Sequence, residues 1–217
     1  DYMRQRLNDW VDSIEWDWLI SRQRLYGTPI PFWYCAECNA IYPAHLEQLP
    51  VNPVKAPPPI SACSQCGSDK IIPCDDVCDC WVDSSITPLV ISGYFSNERY
   101  FSKAYPTNIR QQGHDIIRTW LYYTTFRCLV LTQQKPWYEV LINGHVLGPE
   151  GYRMSKSRGN VVSPEDKLED LGADSLRQSL LSVTLGSDFS FNWELVKYCR
   201  GFLQKYWSSV RFAFRFL

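Results

Sequence analysis

Ile109-Arg110-Gln111-Gln112-Gly113-His114-Asp115 is followed by an apolar run from Ile116 to Leu131. Next come Glu139-Val140-Leu141-Ile142-Asn143-Gly144-His145-Val146 and a glycine-rich basic loop from Leu147 to Asn160. The first stretch reads as a strand end turning through a glycine, the apolar run as a buried helix, and the third stretch as a second strand. Strand, helix, strand, loop is the order of an α/β sheet with a binding crevice at the carboxyl ends of its strands. Directly beyond, Ser163-Pro164-Glu165-Asp166 reads as a helix start: a capping serine, proline at the first position and acids in the first turn. Gly172 is the expected end of that helix.

Working outward, residues 4–18 carry Trp10, Val11, Ile14 and Trp18 at helical spacing and predict a helix packed on the domain. Gly27, Pro29 and Pro31 forbid its continuation and predict a rigid extended loop. At the other end a long helix is expected from about Asn192, with Leu195, Cys199, Phe202, Leu203, Tyr206, Val210 and Ala213 on one stripe. The chain is expected to stop inside that helix at Leu217, and it starts at Asp1 rather than Met. Both features lead us to expect a piece of a longer protein.

The composition excludes several classes. The 217 residues are 45% hydrophobic, which fits neither a disordered chain nor a collagenous one. Lys and Arg number 22 against 23 Asp and Glu, so any nucleic-acid contact must come from local patches rather than a globally basic surface. No stretch approaches the ~20 uninterrupted apolar residues of a membrane span, and the polar start resembles no signal peptide. The expectation is a cytoplasmic protein with reduced thiols and no membrane partner.

The nine cysteines are unevenly used. Cys35-Ala36-Glu37-Cys38 and Cys63-Ser64-Gln65-Cys66 are two C-x2-C pairs with 24 residues between them, in a proline-rich region with too little apolar sequence for a core of its own. Each pair presents two thiolates from a tight turn, and together they complete a closed tetrahedral Zn2+ site. Such a site is structural, since protein fills all four positions. Cys74, Cys78 and Cys80 match no common ligand spacing and read as incidental; Cys128 and Cys199 read as ordinary buried residues.

Arg153-Met154-Ser155-Lys156-Ser157-Arg158-Gly159-Asn160 gathers three cations, two hydroxyls and flexible backbone, with no acid between Gly151 and Pro164. That chemistry fits a polyphosphate. Met-Ser-Lys-Ser before an expected helix resembles the KMSKS-type signature loop of class I aminoacyl-tRNA synthetases. Three further stretches extend the resemblance over nearly the whole chain: Trp18-Leu19-Ile20-Ser21-Arg22-Gln23-Arg24, Asp79-Cys80-Trp81-Val82-Asp83-Ser84-Ser85, and Gln112-Gly113-His114-Asp115-Ile116-Ile117-Arg118-Thr119-Trp120. The sequence is similar to the second half of the catalytic region of the valyl-tRNA synthetases. Ile116-Ile117 tilts the likeness to valine, because isoleucyl relatives usually carry Gln-His after the Asp. Two departures stand out: Arg153 where the loop commonly begins with Lys, and Cys80 where relatives often carry Thr.

The resemblance implies an α/β, Rossmann-type catalytic half with an inserted zinc ribbon and a C-terminal helical segment. The expected divisions are 1–34, re-entry into the catalytic domain; 35–73, the zinc ribbon; 74–163, the second Rossmann half with the signature loop; 164–191, a stem-contact-like segment; and 192–217, the start of a helical anticodon-binding region. The implied reaction joins valine to the α-phosphate of ATP, supplied with Mg2+, and passes the valyl group to tRNA(Val). Lys156 and Arg153 are the implied catalytic residues. Gly113, Asp115, His145, Val146, Met154, Ser155 and Ser157 are the implied ATP-binding residues. Trp81, Ile116 and Trp120 are assigned to the valine pocket, and Cys35, Cys38, Cys63 and Cys66 to zinc.

An apolar pocket rejects an isostere that merely adds a hydroxyl only about 10²-fold, the value known for valyl enzymes themselves, so hydrolytic editing is expected elsewhere in the protein. The family's His-x-Gly-His cluster does not occur in these residues; His45, His114 and His145 are the three histidines. The fragment alone is therefore expected to be inactive, within a full enzyme that acts as a monomer. Two alternatives remain open at this point: a non-catalytic, synthetase-derived zinc-ribbon module that binds nucleotide or RNA, and an isoleucyl-type synthetase fragment.

Overall fold

The computed structural model describes residues 2–217; Asp1, on which part of the fragment expectation rests, lies outside the described residues. In chain order the first half contains α1 (Tyr2–Ser13), β1 (Ser21–Arg22), β2 (Phe32–Cys35), β3 (Ile41–Pro43), β4 (Ile71–Pro73), β5 (Val77–Cys78), α2 (Cys80–Ser84), α3 (Thr87–Ile91) and α4 (Glu98–Ala104). There follow β6 (Thr107–Gly113), α5 (Tyr122–Thr132), β7 (Trp137–Asn143) and β8 (Val146–Leu147). The last elements are α6 (Leu168–Leu171), α7 (Ala173–Leu181), β9 (Phe189–Ser190) and α8 (Trp193–Ala213). The chain divides into two compact units. One comprises the described residues up to Asn108 with Ile116–Tyr138; the other comprises Ile109–Asp115 with Glu139–Leu217.

In the first unit α1 ends at Ser13, short of the predicted Trp18. Trp18 is taken by a tertiary partner instead, stacking on Tyr123 of α5 at 3.8 Å with the rings nearly parallel. The extended segment after it is pinned by β1, which pairs antiparallel with β5. Arg22 of β1 donates to Leu19 O at 2.7 Å and forms an ion pair with Asp79. Asp79 is only 7% exposed, and its other oxygen accepts from Trp81 N–H at 2.9 Å, capping α2. A nearly buried carboxylate is stable only while paired. Arg22→Ala should therefore cost about 2–4 kcal/mol, read as a lowered urea midpoint of the whole protein; a midpoint that stays in place would remove this role.

Between β1 and β5 the chain builds a three-stranded antiparallel sheet in the order β3-β2-β4. Its alternation is clear: Trp33 and Cys35 of β2 are buried, at 1% and 0% exposure. The core around the cysteines is small, consisting of Cys35, Ala40 and Cys63 with Tyr42 and Ile71 packed on it. A second core gathers Leu89, Tyr105 and Cys128, with Tyr94 and Phe101.

The expected buried helix from Ile116 to Leu131 is three pieces. His114–Ile116 forms a 3-10 turn, Ile117–Leu121 a π-turn, and only α5 is α-helical. One face alone is buried, through Ile117, Leu121, Thr124 and Cys128, while Phe126, Leu129, Val130 and Leu131 are exposed. The extra residue of a π-turn re-aims the side chains that follow it, and such turns are frequent at functional sites.

Strands β6 and β7 form a two-stranded sheet. The expected strand 139–146 is broken after Asn143, and Val146 belongs to β8, which pairs in parallel with β9. Crowding explains the break: a Cβ on Gly144 would lie 2.0 Å from the Ser187 carbonyl oxygen, so only glycine lets the two backbones meet there. The described residues contain sheets of two and three strands, and no larger parallel sheet is among them.

Ser163 makes no side-chain cap. Pro164–Lys167 is a 3-10 turn and α6 starts only at Leu168, ending at Gly172 with φ +80° as expected. The final helix starts as predicted, the Asn192 side chain accepting from Glu194 N–H at 2.8 Å, and α8 packs on α7; it stops at Ala213 rather than running to Leu217. Its buried residues are Val196 and Cys199, whereas Phe202 and Tyr206 of the predicted stripe are exposed.

Candidate functional site

The four zinc-assigned cysteines converge. All their sulfurs lie within 4.8 Å of one another, with Cys35–Cys66 and Cys38–Cys63 each at 3.5 Å. Tetrahedral Zn–S bonds of ~2.3 Å imply S···S edges of ~3.8 Å, so the donor set fits one zinc ion. Tight turns supply the rest of the cradle. Glu37 and Gln65 N–H point at Cys35 and Cys63 Sγ at 3.4 Å, and the Tyr42 hydroxyl donates to Cys63 Sγ at 3.0 Å. That hydroxyl is the chief reason the Cys63 thiol falls to about 6. Cys66 feels the Ser68 N–H as a lowering influence, but the neighbouring sulfurs of Cys35 and Cys63 outweigh it and push the thiol up to about 12. Four sulfurs this close cannot all ionise without a cation among them. Among the described residues this is the one cluster of possible metal ligands. Cys74 and Cys78 are instead pushed up, chiefly by burial.

The basic loop 153–160 closes on itself. Asn160 clamps it: its Oδ1 accepts from Ser155 N–H at 2.8 Å and its Nδ2 donates to Arg153 O at 3.1 Å. Lys156–Arg158 is a single 3-10 turn closed by Gly159 at φ +67°, and the Ser155 and Ser157 hydroxyls share a hydrogen bond at 2.8 Å. Arg153, Met154, Ser155, Ser157 and Arg158 line an open cleft of about 680 Å³. Lys156 is exposed on the turn beside it rather than on its wall.

At one end of this loop stand the other nucleotide-assigned residues. Arg153 donates to His145 Nε2, which lies 3.7 Å from Asp115 Oδ1. Gly113 leaves room for that carboxylate, since a Cβ there would sit 2.7 Å from Asp115 Oδ1. Val146 is 40% exposed and contributes backbone to the β8–β9 pair.

The valine-assigned residues lie in the first unit. Trp81 is the second residue of α2, and the Trp120 indole N–H donates to Ser84 O at the end of the same helix, at 3.0 Å. Arg127 of α5 braces that helix end, donating to Val82 O and, at 2.7 Å, to Ser85 Oγ. Ile116 precedes the π-turn that carries Trp120, so the two do not share one face of a regular α-helix as the spacing predicts.

Asn160, Gly144, Asp188, Arg127 and the Arg22–Asp79 pair were not singled out by sequence reasoning. Asn160 alone had a local signal, a side chain of the turn-forming type at the loop's end. The others act across separations that no spacing rule detects.

A family model described as tRNA synthetases class I (I, L, M and V) matches residues 1–192. The valine--tRNA ligase of Sulfurisphaera tokodaii is 53% identical over 99% of this chain, and that of Pyrococcus furiosus 51% over 97%. The matches cover 26% and 24% of those proteins, so the chain spans about a quarter of their length. Among solved structures, the Agrobacterium radiobacter K84 agnB2 LeuRS in a ternary LeuRS-tRNA-LeuAMS complex superposes with a TM-score of 0.72 at 29% identity, over 87% of this chain and 27% of that one. A Mycobacterium tuberculosis methionyl-tRNA synthetase shares the fold at a TM-score of 0.61 and 24% identity, over 90% of this chain and 31% of that one. With the signature loop, the four-cysteine module and these likenesses together, the chain belongs to the class I tRNA synthetases of the isoleucine, leucine, methionine and valine group.

Proposed function

We propose that the chain is part of a valine–tRNA ligase, which activates valine with ATP and transfers it to tRNA(Val). The observation that carries this reading is the similarity to valine--tRNA ligases over nearly the whole chain. In the first step the valine carboxylate, already ionised, attacks the α-phosphorus of ATP in line and pyrophosphate leaves with the bond electrons. Such a step needs charge stabilisation and alignment more than a general base.

Lys156 and Arg153 are assigned to the departing pyrophosphate, helped by the Ser155 and Ser157 hydroxyls, with Mg2+ accompanying the nucleotide. Gly113 and Asp115 are assigned to the ribose; His145, Val146 and the Met154 backbone lie on the adenine side. Trp81, Ile116 and Trp120 are assigned to the valine side chain. Zn2+ on Cys35, Cys38, Cys63 and Cys66 holds residues 35–73 as a folded module and takes no part in the chemistry.

The small sheets of this chain are read as the second half of a Rossmann-type sheet that the rest of the protein completes. Residues 164–191 are assigned to the stem-contact segment and 192–217 to the start of the anticodon-binding helices. No helix among the described residues is long and apolar enough to cross a membrane. We place the full protein in the cytoplasm as a monomer.

The test is amino-acid-dependent ATP–pyrophosphate exchange by the full-length protein. Valine should support exchange at least ~100-fold better, in kcat/KM, than isoleucine, with threonine about 10² below valine. Preference for isoleucine, or exchange with neither, would overturn the assignment.

A further inference from the structure

Asp188 belongs to none of the motifs that identify the family, yet two other segments of the second unit, those of His114 and His145, bond to it. Its Oδ1 accepts from His114 Nε2 at 2.7 Å and from the His145 backbone N–H at 2.7 Å. The His145 N–H first, and the His114 ring second, hold the Asp188 carboxyl below the usual carboxylate range. It is therefore ionised at neutral pH, and its contribution is lost only as pH falls through that lowered value.

The next shell of contacts reaches the nucleotide-assigned residues. The His114 and His145 rings meet edge to face at 4.7 Å. His145 Nε2 accepts from Arg153, the first cation of the phosphate loop, and faces Asp115 Oδ1. Accepting at Nε2 requires a neutral ring protonated at Nδ1, so the aim of the ring matters as well as its place. That aim follows from the backbone at the break between β7 and β8, where Asp188 bonds. The contact between Gly144 and Ser187 presses the Asp188 segment against the same break.

We propose that Asp188 is the positioning residue of the nucleotide site. It fixes the His145 backbone and the His114 ring, so that His145 holds the Arg153 guanidinium at the phosphate cleft beside Asp115. Asp188 touches no reacting atom in this scheme; it acts through His145 on Arg153. The inference rests on the assignment of ATP to this site under the proposed function.

The experiment is a double-mutant cycle in the full-length protein, read by ATP binding in equilibrium dialysis and by valine-dependent exchange. Asp188→Ala should weaken ATP binding about tenfold, the size expected for losing charge-assisted hydrogen bonds, with little change in the KM for valine. Asp188→Asn retains one accepting oxygen and should lose only about threefold. In an Arg153→Ala background, Asp188→Ala should add less than about twofold, because most of its effect passes through Arg153.

Equal fold-losses in both backgrounds would mean a merely structural role and overturn the proposal, as would unchanged ATP binding in Asp188→Ala. A wild type that binds ATP but exchanges with no valine would sink the valine reading, while the binding cycle still decides the role of Asp188. A wild type that binds no ATP would sink both.

Discussion

Replacing Lys156 by Ala in the full-length protein should lower kcat for valine-dependent ATP–pyrophosphate exchange by about 10²–10³ and leave the valine KM within about threefold. The magnitude follows from where charge develops. As the bond to the α-phosphorus breaks, negative charge gathers on the pyrophosphate, and a cation aimed there strengthens its interaction only in the transition state. Lys156 suits this role. It sits exposed at the head of a turn whose base is tied by Asn160, so a mobile point charge is carried on a fixed hinge. Arg153, by contrast, is engaged by His145 before any nucleotide arrives. Lys156→Arg should recover only part of the rate, since a planar guanidinium lacks the compact reach of the ammonium. An equal rise in the ground-state Kd for ATP, with kcat preserved, would assign Lys156 to uniform binding instead.

Removing zinc has the largest expected effect on stability. Structural zinc sites of this kind couple on the order of 10 kcal/mol of binding free energy to folding. The apolar core beneath the sheet, Cys35, Ala40 and Cys63 with Tyr42 and Ile71, is too small to replace that contribution. Chelation or Cys63→Ser should release about one zinc per chain and open the β2–β3–β4 sheet to proteolysis between residues 36 and 70. The α2–α5 packing, anchored by Arg127 and Trp120, should remain protected. Metal analysis combined with amide exchange reads both effects; a metal-free protein with the β2 amides still protected would remove zinc from the fold.

Local patterns were legible wherever one segment settles its own chemistry. Two C-x2-C turns predict a four-sulfur site because each turn aims its pair regardless of what surrounds it, and the four sulfurs do converge. The start of the last helix near Asn192 and the Gly172 stop depend only on their own segments, and both stand where expected. Local reasoning was outcompeted where a distant partner offers more than the local pattern does. Trp18 leaves the predicted helix for Tyr123. The single expected strand breaks at Gly144, where Ser187 needs the space.

The sequence by itself determined the family likeness, the four-cysteine cluster and the composition of the basic loop, because residue type and short spacing carry that chemistry. Only the tertiary structure decided that Asp188 joins His114 to His145, that Arg22 pairs with Asp79 to cap the Trp81 helix, and that Ile116 and Trp120 are separated by a π-turn. Hydrogen bonds and ion pairs between residues 43 to 74 positions apart depend on how the backbone returns on itself, and no periodicity along the chain records that return.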